Sequence, residues 1–193
     1  MNEMPLEERV NLWQMLHALD CFQHVDRVCS LIQENKITNG HPLYHSLLTS
    51  LYVLYGRPFK KSHGVGRLPD DIVPKELRHI HDDLILHRDK IFAHTDVNGA
   101  WEEEDMSLNQ VELTVQNGFC SWRIRTIQPM PERVKEFQSL CAELVKKVEY
   151  HINKINGKIG KYVPHANGIY RLVLNPNASA AFEPEQNHGD GNL

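Results

Sequence analysis

A chain of 193 residues, 41% of them hydrophobic and 24% charged, has the composition of a folded domain with a sizeable core. Its formal net charge of −4 does not mark a general nucleic-acid binder, so any RNA contact must come from a local basic surface and be salt-sensitive. No apolar run approaches the roughly 18 residues of a membrane span, and the acidic start Met1-Asn2-Glu3-Met4-Pro5-Leu6-Glu7-Glu8 is unlike a signal peptide, which predicts a cytoplasmic protein.

Residues 6 to 34 predict a first long helix, because Leu12, Leu16, Leu19, Phe22, Val25, Cys29 and Ile32 keep three- and four-residue steps. Asn35, Asn39, Gly40 and Pro42 break it. His41-Pro42 opens a second helix whose expected buried side is Leu43, Leu47, Leu48, Leu51, Tyr52 and Tyr55, stopped by Gly56 and Pro58. From Gly56 to Val73 the chain is basic and glycine-containing, with Arg57, Lys60, Lys61, His63 and Arg67 among Gly64, Gly66, Pro58 and Pro69. Such a connection is either a functional loop or a flexible surface loop with solvated lysines. A third helix starts near Pro74, with Leu77, Ile80, Leu84 and Ile91 in one narrow arc and Ile85 and Phe92 extending it.

Glu102, Glu103, Glu104 and Asp105 read as a solvated acidic run after the turn Asn98-Gly99. Residues 110 to 126 switch to period two around Asn117-Gly118, which predicts a β-hairpin. Its register would set Val115 opposite Cys120, Leu113 opposite Trp122, Val111 opposite Ile124 and Glu112 opposite Arg123, with one apolar and one polar side. Pro131 opens a fourth helix carrying Val134, Phe137, Cys141, Leu144, Val148, Ile152 and Ile155, with Lys146, Lys147 and Lys154 outside, ended by Gly157 and Gly160. Residues 156 to 193 form a C-terminal extension. Ile169-Tyr170-Arg171-Leu172-Val173-Leu174 supplies one strand along the hairpin edge, and little order is expected beyond Pro176. Cys21, Cys29, Cys120 and Cys141 form no Cys-x-x-Cys pair and read as reduced structural thiols. The expected fold class is mainly α, a four-helix bundle over residues 1–155 with an inserted β-hairpin near 110–126.

Within the third helix Arg88 projects from the apolar arc. A guanidinium there must be paired or must line a polar cleft. Arg88-Asp89-Lys90-Ile91-Phe92-Ala93-His94 resembles the Arg-x(4–6)-His signature of the HEPN superfamily, and Thr95-Asp96 resembles its abortive-infection and toxin branch. The resemblance implies a HEPN-like bundle and a homodimer through the motif helix that brings two motifs into a shared cleft. It also implies metal-independent endoribonuclease activity of the toxin or phage-defence type, with an antitoxin protein as a further partner.

On that basis Arg88, His94 and Asp89 are the candidate catalytic residues, and Lys90, Arg57, Lys60, Lys61 and Arg67 the candidate RNA-binding residues. An imidazole can take the proton of a ribose 2′-hydroxyl or give one to the departing 5′-oxygen. A guanidinium can hold the non-bridging phosphate oxygens. No cofactor and no metal is implied. His79, His81, His87 and His94 invite a metal site, but no Glu or His completes a recognised ligand spacing.

Plainer roles stand beside these. Arg88 could form a buried salt bridge, His94 could answer the helix dipole, and Asp89 and Lys90 could be solvated. The alternative functions are a non-catalytic RNA- or nucleotide-binding module and a structural interaction domain docking through its hairpin.

Overall fold

The computed structural model describes residues 4–38, 40–62, 66–89, 110–125, 131–178 and 180–185, with the backbone alone at 110–112, 123–125 and 131–132. Within them the protein is mainly helical, with two small antiparallel sheets of two strands each. Helix α1 runs Leu6–Glu34, α2 Tyr44–Gly56, α3 Arg78–His87 and α4 Pro131–Ile159. Strands β1, Gln110–Gln116, and β2, Phe119–Arg125, form the hairpin. Strands β3, Tyr170–Leu172, and β4, Phe182–Pro184, form the second sheet.

Helix α1 lies along α4 and α2, while α3 packs against α2 and α4. The shared core holds Phe22, Val25, Cys29 and Ile32 from α1, Leu48, Leu51, Tyr52 and Tyr55 from α2, and Ile80 and Leu84 from α3. Val134, Phe137, Leu140, Cys141, Leu144 and Val148 complete it from α4. Burying such side chains contributes about 1.5–3 kcal/mol each, so the three- and four-residue spacing is the principal reason these segments settle as helices. A polar clasp fixes how α1 meets α4. The Gln138 amide donates to Asp26 Oδ1 and Ser30 Oγ, both at 3.0 Å, and accepts from Gln33 at 2.8 Å.

Several expected core positions are displaced. Leu16 and Leu43 are exposed, and Tyr44 rather than Leu43 is buried at the start of α2. Gly157 does not end α4, which continues to Ile159 before a 3₁₀ turn at Gly160–Tyr162. Ile159 is 3% exposed, so its burial beside Met4, Leu12 and Ala181 holds the extra turn.

The described residues of the basic connection after α2, 57–62 and 66–73, are anchored to the core. Phe59, Leu68, Ile72 and Val73 enter the core, short 3₁₀ turns cover Arg57–Phe59, Asp70–Ile72 and Lys75–Leu77, and Leu68 N–H donates to Pro58 C=O at 2.8 Å. Four buried apolar anchors leave its charged residues displayed on a fixed frame.

The hairpin has the expected register at all four pairs named from the sequence. Asn117 and Gly118, at φ 50° and 82°, supply the two left-handed residues that a two-residue turn with right-twisted strands needs. Its apolar side, however, is uncovered by any described residue: Leu113, Val115 and Trp122 are exposed. Cys120 is exposed too, so three of the four thiols, not all of them, are buried. The strand at 170–172 pairs with 182–184 and not with the hairpin edge, which also places order beyond Pro176. Arg9, 4% exposed, explains the difference. It donates to the carbonyls of Met4 at 2.9 Å and of Val173 and Ala180 at 3.4 Å, fastening this segment to α1.

Candidate active site at the end of α3

The apolar stripe of α3 brings its C-terminal end against the end of α2, and Arg88 and Asp89 continue the helix in a π-helical turn. Such local widening of the helix is often found at functional sites. The Arg88 side chain, 20% exposed, runs across Gly56, where a Cβ would press tightly on its Cγ and Cδ at 3.0 and 3.1 Å. Its Nη1 donates to Asp89 Oδ1 at 2.8 Å, while its buried Nε has no hydrogen-bond partner among the described residues. Because Nε is buried it is closed to an entering ligand, and any contact with an acceptor has to come through the nitrogens at the end of the guanidinium, one of which already donates to Asp89.

Asp89 holds a second cation. Lys60, on the basic connection, donates to Asp89 Oδ2 at 2.5 Å. Burial works to raise the Asp89 carboxyl, but the hydrogen bonds from Lys60 and then Arg88 outweigh it and hold the group below its ordinary value. A cleft of about 390 Å³ opens beside this cluster, lined by Phe59, Lys60, Arg67, Arg78, His81 and Asp89 among others. That volume is in the range of small-ligand sites.

Of the residues singled out from the sequence, the fold thus gathers Arg88, Asp89 and Lys60, with Arg67 on the same cleft. Arg67 is engaged at 3.4 Å by Asp70. Arg57 and Lys61 are exposed but do not line the cleft. Lys90 and His94, with Ile91, Phe92 and the acidic run 102–105, lie outside the described residues.

Four contributors were not apparent from the sequence. Gly56 makes room for Arg88, and Arg78 reaches the cleft while donating to the Asp70 carbonyl at 2.5 Å. His81 and Tyr55 meet at 2.7 Å in a buried hydrogen bond. The seven-residue step from His81 to Arg88, two turns along one helix face, was the one available signal. The grouping of His79, His81 and His87 does not converge. His79 is exposed, His81 meets Tyr55, and His87 Nδ1 donates to the Asp83 carbonyl at 2.8 Å. Among the described residues no cluster of three or more His, Cys, Asp or Glu is placed to hold a metal ion.

Comparison with protein-family models, with curated proteins and with solved structures found no match to this chain.

Proposed function

We propose that the protein is a metal-independent endoribonuclease built on a HEPN-like four-helix bundle, with Arg88 and His94 as its working pair. The observation that carries this reading is the state of Arg88. It is a guanidinium seated on Gly56 and held by Asp89, which with Lys60 lines a cleft that carries further cations. Phosphate oxygens suit such a fork, and the charge that builds at phosphorus during in-line attack is stabilised by it. His94, six residues on, supplies the imidazole that moves a proton. Lys60, Arg67, Lys90, Arg57 and Lys61 hold the RNA backbone, a local set of cations on an acidic protein. A two-fold dimer through the motif helix pairs two such sites, and a toxin or phage-defence role in the cytoplasm, restrained by an antitoxin protein, accords with the Arg-x5-His resemblance.

The test is cleavage of RNA by the full chain with chelator present. Arg88→Ala and His94→Ala are expected to abolish it with the fold intact, and cleavage that survives in His94→Ala removes the proposal. One observation favours a second reading, a non-catalytic RNA- or nucleotide-binding module. Asp89 engages both Arg88 and Lys60, so a phosphate must compete with a carboxylate already in place. That reading expects binding at low salt without turnover, weakened by Arg88→Ala.

A further inference from the structure

The cleft beside Arg88 contains an imidazole that the Arg88/His94 pair does not use. His81 is 5% exposed and lines the cleft with Lys60, Asp82 and Asp89. Its Nδ1 meets the Tyr55 hydroxyl at 2.7 Å, and Phe59 closes edge-on against the ring, centroid to centroid 4.6 Å. Tyr55 and Phe59 flank the end of α2, so the same short segment that seats Arg88 on Gly56 also clamps His81. Turning the ring would break a buried hydrogen bond, at a cost of about 1–3 kcal/mol for the group left unsatisfied. The clamp engages Nδ1 with Tyr55, on a ring that lines the cleft.

We infer, resting on the ribonuclease reading, that His81 is a second catalytic imidazole, the general base that takes the proton of the ribose 2′-hydroxyl while His94 serves as the acid. In-line RNA cleavage profits from two proton-handling groups, and one arginine with one histidine supplies only one. With Nδ1–H donating to the Tyr55 oxygen, Nε2 carries a lone pair. It accepts the 2′-hydroxyl proton as the 2′-oxygen bonds to phosphorus and the P–O5′ bond breaks. The His94 imidazolium gives its proton to the departing 5′-oxygen. The products are a 2′,3′-cyclic phosphate and a 5′-hydroxyl, with no change of oxidation state.

The surroundings suit a base at neutral pH. Burial lowers the His81 pKa most, and the charged groups facing it divide: Asp82 and Asp70 raise it, Arg78 and Lys60 lower it. The net direction is down, so the ring is neutral near pH 7. Lys60 is also the partner of Asp89, which joins His81 electrostatically to the Arg88 cluster. Tyr55 remains a neutral phenol, because burial pushes it well above its ordinary value.

His81→Asn and Tyr55→Phe separate this role from a merely structural tie between α2 and α3. An asparagine amide can stand where Nδ1 does and keep the bond to Tyr55, while the cleft loses its titrating nitrogen. In the full chain, His81→Asn is expected to lower kcat for RNA about 10²–10⁴-fold, to leave KM within a few-fold, and to remove the limb of the pH–rate profile that rises with pH below about 6.5. Tyr55→Phe should lower kcat less and move that limb. Wild-type kcat and profile in His81→Asn, with His94→Ala inactive, overturn this inference and leave the ribonuclease reading standing. Intact RNA with the wild type, or cleavage by His94→Ala, overturns both. If circular dichroism shows His81→Asn unfolded, Tyr55→Phe decides, since phenylalanine fills the same space; an unmoved limb there also overturns it.

Discussion

A Cβ placed on Gly56 would stand 3.0 Å from Cγ and 3.1 Å from Cδ of Arg88, so the last residue of α2 and the arginine of the motif share one space. Gly56 has φ −74°, which any residue adopts, so its lack of a side chain rather than its backbone freedom is what matters here. Gly56→Ala should therefore dissociate stability from function. Alanine adds about 1 kcal/mol of helix propensity, which offsets the local crowding and keeps the melting temperature within about 3 °C. The Arg88 side chain has to give by a few tenths of an ångström; since a misplacement of about 1 Å can cost about a hundredfold in rate, a loss of up to about tenfold is expected. Parallel melting and RNA-cleavage assays check this, and an alanine variant as active as wild type would show that the Arg88 seat is unimportant.

The Asp89 carboxylate restrains two cations and also masks them. Asp89→Asn removes one negative charge from the cleft and frees Arg88 and Lys60, so RNA retention at low salt should rise and its dependence on salt should steepen. Cleavage should nonetheless fall about tenfold or more, because Arg88 loses its anchor. The pair of measurements is filter binding over a salt series and initial cleavage rate. Weaker binding by the asparagine variant would contradict the masking role.

Much of this architecture was legible in the residues. Repeating apolar steps marked the helices, and Asn117-Gly118 set the hairpin register, because both signals are local. Long-range relationships were not. No local pattern says that Gly56 faces Arg88, that Tyr55 reaches His81, or that Arg9 collects the carbonyls of Val173 and Ala180, since each joins segments brought together only by packing. Leu16 and Leu43 misled for the converse reason: helical spacing identifies an apolar face but not how far the neighbouring elements cover it. Within the candidate site, Arg88 stood out as a charge on an apolar stripe and Asp89 through the motif that follows it, whereas Lys60 was one basic residue among several until the anchors Phe59 and Leu68 fixed its place.

The hairpin should respond to mutation independently of the helical core. Gly118 sits at φ 82° with open space around it, so Gly118→Ala strains only the backbone, by about 1–2 kcal/mol. Hydrogen-exchange protection of residues 110–125 is expected to fall. Helix content and the protection of α1 and α4 should not change, because among the described residues none of the core side chains comes from β1 or β2. A global loss of protection would mean that the strands are a necessary part of the folding unit.

The sharpest pH dependence should come from the tie between α3 and α4. Asp83 accepts from His87 Nδ1, at 3.3 Å to Oδ1 as well as 2.8 Å to the carbonyl. Its Oδ2 lies 3.0 Å from Arg133 Nη1, an ion pair outside good hydrogen-bond alignment. Burial lowers the His87 imidazole, yet the bonds from Asp83 outweigh it and the net direction is up. Burial likewise raises Asp83, and His87 and Arg133 together bring it down. The signs follow by linkage. The His87 contribution is fully present below its unfolded value of about 6.5 and disappears as pH rises through the elevated folded value. Asp83 contributes above its unfolded value of about 3.9 and is lost as pH falls through the lowered folded one. His81 runs the other way from His87, since its lowered folded value adds stability above about pH 6.5 that is lost in acid. Whole-protein stability therefore blurs the two histidines, and a difference measurement is required. Urea unfolding of wild type and His87→Gln should show a larger destabilisation at about pH 5 than at about pH 9. Equal destabilisation at the two pH values would mean that the Asp83 bond to His87 does not depend on its charge.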